Sequence, residues 1–309
     1  MSGGNVKYGQ ANFRQKKMKT FFTLILAGAC SAANAQTPAA NPMPDGSRDM
    51  YVGLGVLSAA ESQGTKKRSV SLLPLIQMEW SSGIFVSGMS AGMHLSGQPA
   101  LEYGPLLSIE AGRNQSGTAP GIGGVSSTSP GNTLAPGIVT GAIDGRAIPL
   151  PGENRLVGMH KVPTRLTAGG FFNYYLTPQL RLTNSVLYGS GRERKGLLWH
   201  VGLQHIATDI APNHRLSVSA GMTFVNRSYN ESYFGVSDAE YFNSGNAPHY
   251  VNGGVRDTYV GARWNWLLTP GWMVTSSARV SRLQDDSRKS PLVQRPTDLS
   301  VSTGLVYRF

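Results

Sequence analysis

Catalysis or metal binding needs side chains that converge, and the histidines of this chain diverge. His200 and His205 lie in one alternating run, five positions apart, which puts them on opposite faces of an extended strand. They can form neither a ligand pair nor a nucleophile–base pair with each other. His214 falls in a turn, and His94, His160 and His249 fall in or beside loops; no strand–turn–helix serine motif accompanies them. Asp285 and Asp286 with Asp298, or Asp238 with Glu240, have the oxygen chemistry for calcium, but polar loops facing charged lipid headgroups account for them more simply. The sequence reads as that of a protein that is not an enzyme, with no cofactor and no catalytic or metal-ligating set.

A different set does fall on common faces. Glu110, Arg181, His200, Gln204, Arg263, Asn265, Arg279 and Arg308 each sit on the polar side of a run whose other side is apolar. If those runs close into a barrel, these residues line a polar, mainly basic lumen. Filled with water, such a lining tunes ion preference and makes a weakly anion-preferring channel. Paired with Glu79, Glu110 and loop acids, and joined by an inward-folded loop, the same lining closes a narrow barrel. The closed or narrow form is the favoured reading, and the channel stays open as the alternative.

Strands must position these residues, and period-two patterning runs through the chain from Met50. The final segment, LSVSTGLVYRF, shows it well: Leu299, Val301, Leu305, Tyr307 and Phe309 share one face, and Ser300, Ser302, Gly304 and Arg308 the other. An apolar exterior, an interfacial aromatic and a polar interior are what a transmembrane barrel wall requires, although the last strand of a soluble sandwich would alternate similarly. Very short turns, Thr177-Pro178-Gln179 and Thr269-Pro270-Gly271, alternate with long polar segments at 114–160 and 226–256. That asymmetry favours the barrel, with short turns on the periplasmic side and long loops outside. Trp199, Trp264, Trp266, Trp272 and Tyr307 read as lipid-facing or girdle residues.

Eleven runs are clear, whereas bacterial single-chain barrels have an even number of strands. The missing crossing is expected at 83–97, read as two short strands bent around Gly88 to Gly92. The expected fold is therefore an all-β, transmembrane, antiparallel up-and-down β-barrel of about 12 strands, with ten as the alternative. Pro74 interrupts a strand-like run and suggests a bulge or boundary there, because proline lacks a ladder donor.

The bulk numbers agree. Of 309 residues 40% are hydrophobic and 15% charged, with 38 glycines, a composition of turns and strands rather than of helical salt-bridge surface. Mean hydropathy is -0.18, and beyond the N-terminus no apolar run approaches the eighteen residues of a spanning helix. The net charge of +11 is inflated by Lys7, Arg14, Lys16, Lys17 and Lys19; removing those five from 28 Lys and Arg leaves 23 against 17 acids. The remaining basic residues are scattered, which argues against nucleic acid as a partner.

The basic start precedes an apolar segment, Phe21 to Ala29, and then Ala33-Asn34-Ala35, an A-x-A pattern predicting cleavage between Ala35 and Gln36. Residues 1–35 are thus expected to be an N-terminal extension and signal peptide, 36–48 a periplasmic linker and 49–309 the barrel. Met18 could itself begin the signal peptide. The single cysteine, Cys30, lies in the segment to be removed, so the mature chain has no disulfide; retention of Cys30 as an acylated residue is the lesser alternative.

YVGLGV, LLPLIQMEW, LEYGPLLSIEAGR, NESYFGVSDAEY, SRLQDDSRKSPLVQ and GLVYRF occur in that order. Together they resemble the MipA/OmpV family of outer-membrane proteins over essentially the whole mature chain, YFGVS at 233–237 and SPLV at 290–293 being the most specific pieces. The loop at 114–160 is longer than the family pattern, and ESQGTKKRS is basic where the family tends to be acidic. The resemblance implies location in the cell outer membrane. It also implies a scaffold role, linking the membrane to a lytic transglycosylase and a murein synthase, with a surface adhesin or channel-like role as alternatives. Further expected partners are outer-membrane lipid and the barrel-assembly machinery. By likeness to outer-membrane proteins generally, Leu305, Tyr307 and Phe309 form the assembly signal.

Overall fold

The computed structural model describes residues 48–96, 98, 100–118, 121–125, 154–206 and 210–309. The expected signal peptide with its Ala35/Gln36 cleavage point, Cys30, residues 36–47 of the linker and 126–153 of the first long loop lie outside the described residues.

Twelve antiparallel strands close into a barrel. In chain order they are β1 (Arg48–Ala60), β2 (Arg68–Trp80), β3 (Ile84–Ser87), β4 (Ser90–Met93), β5 (Leu101–Glu110), β8 (Arg165–Thr177), β9 (Leu180–Ser190), β10 (Gly196–Ile206), β11 (His214–Val225), β12 (Gly254–Thr269), β13 (Trp272–Leu283) and β14 (Thr297–Arg308). The remaining two, β6 (Arg113–Asn114) and β7 (Gly117–Thr118), form a separate ribbon in the first long loop. β14 pairs with β1 through eight residue pairs, from Tyr51 with Arg308 to Ser58 with Val301, and this seam closes the wall. The first strand begins at Arg48, one residue before the expected boundary.

Alternation does what it must in a barrel. Leu54, Val70, Leu72, Leu166 and Val260 point outward and are each more than half exposed, as lipid-facing residues are when lipid is absent. Their neighbours Leu57, Leu73, Arg181 and Arg263 point inward and are buried. Tight turns such as 178–179 and 270–271 lie at the end where β1 begins and β14 ends, the periplasmic end; the long connections that follow β5, β11 and β13 leave the wall at the other.

One sector of the wall is incomplete. β3 and β4 form a hairpin turning at Gly88-Met89, with Gly88 in the left-handed region at φ 58°. The two short strands are where they were expected, but they are not crossings: four residues rise about 13 Å against an apolar band of about 25 Å. On that edge of β2 only Gln77, Met78 and Glu79 pair with β3. The expected break at Pro74 does not occur, since β1 and β2 stay in register from Arg48/Trp80 to Ala60/Arg68. Pro74 turns its donorless edge toward the gap, where no full-length strand needs the missing N–H.

Candidate functional site

The gap in the wall is met from the first long loop. Gly123 bridges Leu75 in parallel: its N–H donates to the Pro74 carbonyl at 2.9 Å, and its carbonyl accepts from Ile76 N at 3.0 Å. The segment then enters the lumen. Val125, 1% exposed, packs inside the barrel with Leu57, Leu73, Leu75, Met273 and Val306, and its carbonyl accepts from Asn265 Nδ2 at 3.4 Å. β12, which carries Asn265, is four strands away from β2 around the wall, so residues 121–125 cover the inner face of the arc from β2 through β1, β14 and β13 to β12.

On the opposite side the interior is ionic. Glu102 accepts hydrogen bonds from Arg181 Nη1 at 2.8 Å, Tyr175 Oη at 2.7 Å and Asn173 Nδ2 at 3.0 Å. Arg181 Nε donates to Gln204 Oε1 at 2.9 Å, and Gln204 Nε2 donates to Ser217 Oγ at 3.0 Å. This belt ties β5, β8, β9, β10 and β11 together in the periplasmic half. A buried charge is tolerated when its lone pairs and protons are satisfied, and the Glu102 carboxylate is met by three donors. Of the residues expected in the lumen, the belt brings together Arg181 and Gln204; Arg263 is buried deep inside β12.

A second network lies toward the outside. Arg256 Nε pairs with Asp257 Oδ2, and Arg256 Nη1 donates to Tyr229 Oη at 2.6 Å; Tyr229 Oη in turn donates to Glu110 at 3.1 Å. Thr223 Oγ1 contacts both Asp257, at 3.3 Å, and His200 Nδ1, at 3.1 Å. The Arg279 guanidinium stacks 3.8 Å from the Tyr259 ring centre, with Nη2 3.8 Å from Asp257. Glu110, His200 and Arg279 therefore meet here, around a chamber of about 230 Å³ whose wall also includes Ser185, Ser281 and Ser300.

Among the network members that patterning missed are Glu102, Asp257, Tyr229 and Arg256. Glu102 shares the parity of Glu110, and Asp257 that of Arg263 and Asn265, so alternation could have found both. Tyr229 and Arg256 were hidden in what reads as a polar loop. That loop holds two helices, α1 (Arg227–Phe234) and α2 (Asp238–Ser244). Asn226 caps α1 by accepting from Tyr229 N at 3.0 Å, and Ser237 with Glu240 forms a capping box on α2. The Ser-x-x-Glu spacing was the available signal. Tyr229 and Phe234 of α1 pack with Leu198, Val225, Val251 and Leu283, so the helix docks on the extracellular ends of β10, β11 and β13.

Outside the membrane span, Glu240 is the junction of this cap. It accepts from His160 N at 3.1 Å and Ser237 N at 2.9 Å, and stands 3.0 Å from His160 Nδ1 and 3.5 Å from Arg192. Burial pushes its carboxyl up, but the hydrogen bonds from Ser237 and His160 outweigh this and hold it at about 2. The acids considered for calcium are used by the loops: Asp285 accepts from Val255 N, Asp286 from Asn252 N, and Asp238 from Tyr250 Oη. A third helix, α3 (Asp285–Lys289), carries the first two.

At the periplasmic rim Arg308 is half-exposed and donates to Asp49 Oδ1 at 2.7 Å. Trp272 and Tyr307 meet at 5.1 Å, and His214 stacks against Trp264 and Trp266. Trp199 and Phe224 stack at 5.1 Å near the other rim. Two outward aromatic girdles result, the arrangement that anchors a barrel at both interfaces. Leu305, Tyr307 and Phe309 all point outward near the seam, each 43–52% exposed.

The family model for MltA-interacting protein MipA matches residues 52–309. The chain belongs to the MipA family. The protein is accordingly an outer-membrane β-barrel, as the closed twelve-stranded wall requires. No curated protein matches it significantly. Among solved structures, a NanC porin is 9% identical, covering 84% of this chain and all of that one, with a TM-score of 0.42. The outer-membrane channel DcaP of Acinetobacter baumannii is 8% identical over 85% of this chain and 96% of that one, at 0.33. The CymD monoaromatic hydrocarbon channel is 12% identical over 86% and 88%, at 0.36.

Proposed function

We propose that this MipA-family barrel is a closed anchor: a scaffold that holds murein-cleaving and murein-synthesising enzymes at the outer membrane. The observation that carries the reading is the loop segment folded into the lumen, with Val125 packed against the inner wall and hydrogen-bonded to Asn265. An inward-folded segment narrows the path for solute and adds rigidity to the wall, which suits an anchor. The name of the family supports a murein-linked partner.

The test has two arms. Cross-linking in native envelopes, followed by affinity purification of the full chain, is expected to recover a lytic transglycosylase and a murein synthase; recovery of neither would overturn the scaffold. Planar-bilayer recording is expected to show no conductance above background, and steady anion-selective steps would instead establish the channel. Assembly is read separately. Deleting Phe309 is expected to lower the yield of folded, heat-modifiable protein several-fold, and an unchanged yield would remove Leu305, Tyr307 and Phe309 from the role of assembly signal.

A further inference from the structure

One stretch of the wall is framed by backbone but not bridged by it. Below, the tip of the β3–β4 hairpin ties β2 to β5: Gly88 N donates to the Ile76 carbonyl and Ile109 N to the Met89 carbonyl, each at 2.9 Å. Above, Arg113 of β6 pairs with Thr118 of β7. Gly123 completes the frame beside β2, and among the described residues no backbone hydrogen bond crosses from 110–112 to 121–124. The extracellular chamber reaches into this window. On β9 and β13 it touches inward residues two apart, Ser185 and Leu187, then Arg279 and Ser281; on β12, beside a register shift, it touches Arg256 and Asp257, both buried. On β5 it touches Ser108, Ile109 and Glu110 in succession, although Ile109 faces outward and is 44% exposed. Successive residues of a strand point to opposite faces, so a cavity that borders all three passes the free edge of β5.

We propose that this window is a lateral port through which the chamber takes the end of one hydrocarbon chain from a lipid of the outer leaflet. The port is continuous with the lipid-facing surface of the barrel. It is flanked outside by Val70 and Leu72 of β2 and by Leu166, which pairs with Ile109; these are the three most exposed large apolar side chains of the described wall. Met89, Ile109 and Ile122 line the opening, and Leu187, Leu198 and Phe234 lie behind it. An apolar opening in contact with acyl chains is filled by them, because a void there forfeits dispersion contacts and water is scarce at that depth. The charges farther in are occupied with one another, Asp257 with Arg256 and Arg279, and Glu110 with Tyr229, which leaves the apolar lining to choose the occupant. A chamber of about 230 Å³ has room for part of a chain and not for a whole lipid.

Photolabelling of the folded full chain in lipid vesicles tests this, with a phosphatidylcholine carrying a diazirine in mid-chain as the probe and one carrying it on the headgroup for comparison. The chain probe is expected to leave adducts on Met89, Ser108 and Glu110 as well as on the outward Val70 and Val260, and the headgroup probe at least fivefold fewer on the first three. Ala111→Trp puts bulk into the window, whose lining includes Ala111. It is expected to lower the chamber adducts at least fivefold and to leave those on Val260, across the barrel, unchanged. Ala278→Trp, on the exposed face of β13, is expected to change neither. If Ala111→Trp loses the heat-modifiable band, Ile109→Trp is read in the same way. Chain adducts confined to outward residues, equal chamber labelling by the headgroup probe, or full chamber labelling in the folded window variant would each overturn the proposal. The readout is independent of any murein partner, so the port and the anchor can fail separately.

Discussion

The sector from β2 to β4 and the sector from β9 to β13 solve the same problem in opposite ways. Both must fill a lumen that is too narrow for bulk water and too wide for a single layer of side chains. From β9 to β13 the strands are eleven to sixteen residues long and fully paired, and charged side chains reach inward to one another. From β2 to β4 the wall contains two four-residue strands, and an apolar interior shared by β2, β1, β14 and β13 packs on a loop that also supplies β2 with missing backbone partners. Where the ladder is complete, side chains can be spent on charge networks; where it is not, backbone must come from elsewhere and brings its own side chain with it. The bilayer enforces this, since an unpaired peptide group facing lipid costs several kcal/mol.

The comparison breaks most sharply at Arg181. Arg181→Ala leaves Glu102 buried with its charge uncompensated, an expected loss of about 3–5 kcal/mol, readable as a lowered urea midpoint for folding into lipid vesicles. The double change Arg181→Met with Glu102→Leu is expected to recover most of that, because it removes both charges; no recovery would mean that the belt is held by something other than this pair. In the other sector, Gly123→Pro removes the donor to Pro74 and crowds Leu75, whose Cδ2 lies 2.8 Å from where a Cβ would stand. The expected loss is smaller, about 1–3 kcal/mol, together with the appearance of bilayer conductance. Conductance without a stability loss would show that the segment plugs the lumen but does not brace the wall.

The smallest effect belongs to the cap that joins the two sectors. Because the Glu240 carboxyl is held at about 2, below its ordinary value near 4.5, it stabilises the cap above that ordinary value and loses this contribution as pH falls from 4.5 toward 2. Hydrogen exchange over 227–244 is expected to accelerate through that window, and Glu240→Gln is expected to exchange faster at pH 7 and to flatten the dependence. Acceleration of equal size in the variant would place the responsible group elsewhere.

The architecture was largely written in alternation. Strand phase placed Arg181, His200, Gln204, Arg263 and Arg279 on inward faces because a period of two leaves no choice once one face meets lipid. Parity required a twelfth strand and located it at 83–97. Alternation does not report length, however, and so the half-height of β3 and β4 was illegible: Ile84 to Ser87 and Ser90 to Met93 read as walls until their neighbours show that nothing continues them. The lumen's partners were harder still. Glu102 and Asp257 shared the right parity, but which acid meets which base depends on strand tilt, which brings Glu102 of β5 to Arg181 of β9. Val125 had no signal at all, since a glycine-flanked valine in a polar loop is the same string whether it lies in solvent or inside a barrel.

The hairpin β3–β4 bears on how such barrels change size. It leaves the periplasmic end of β2 and returns to the periplasmic end of β5, so it adds two to the strand count without changing the side on which any later segment emerges. Excising it would leave β2 and β5 to meet edge to edge, with every loop still on its own side of the membrane. A ten-stranded cousin is thus separated from this protein by a single in-frame deletion of about fifteen residues, the length of two four-residue strands and their turns.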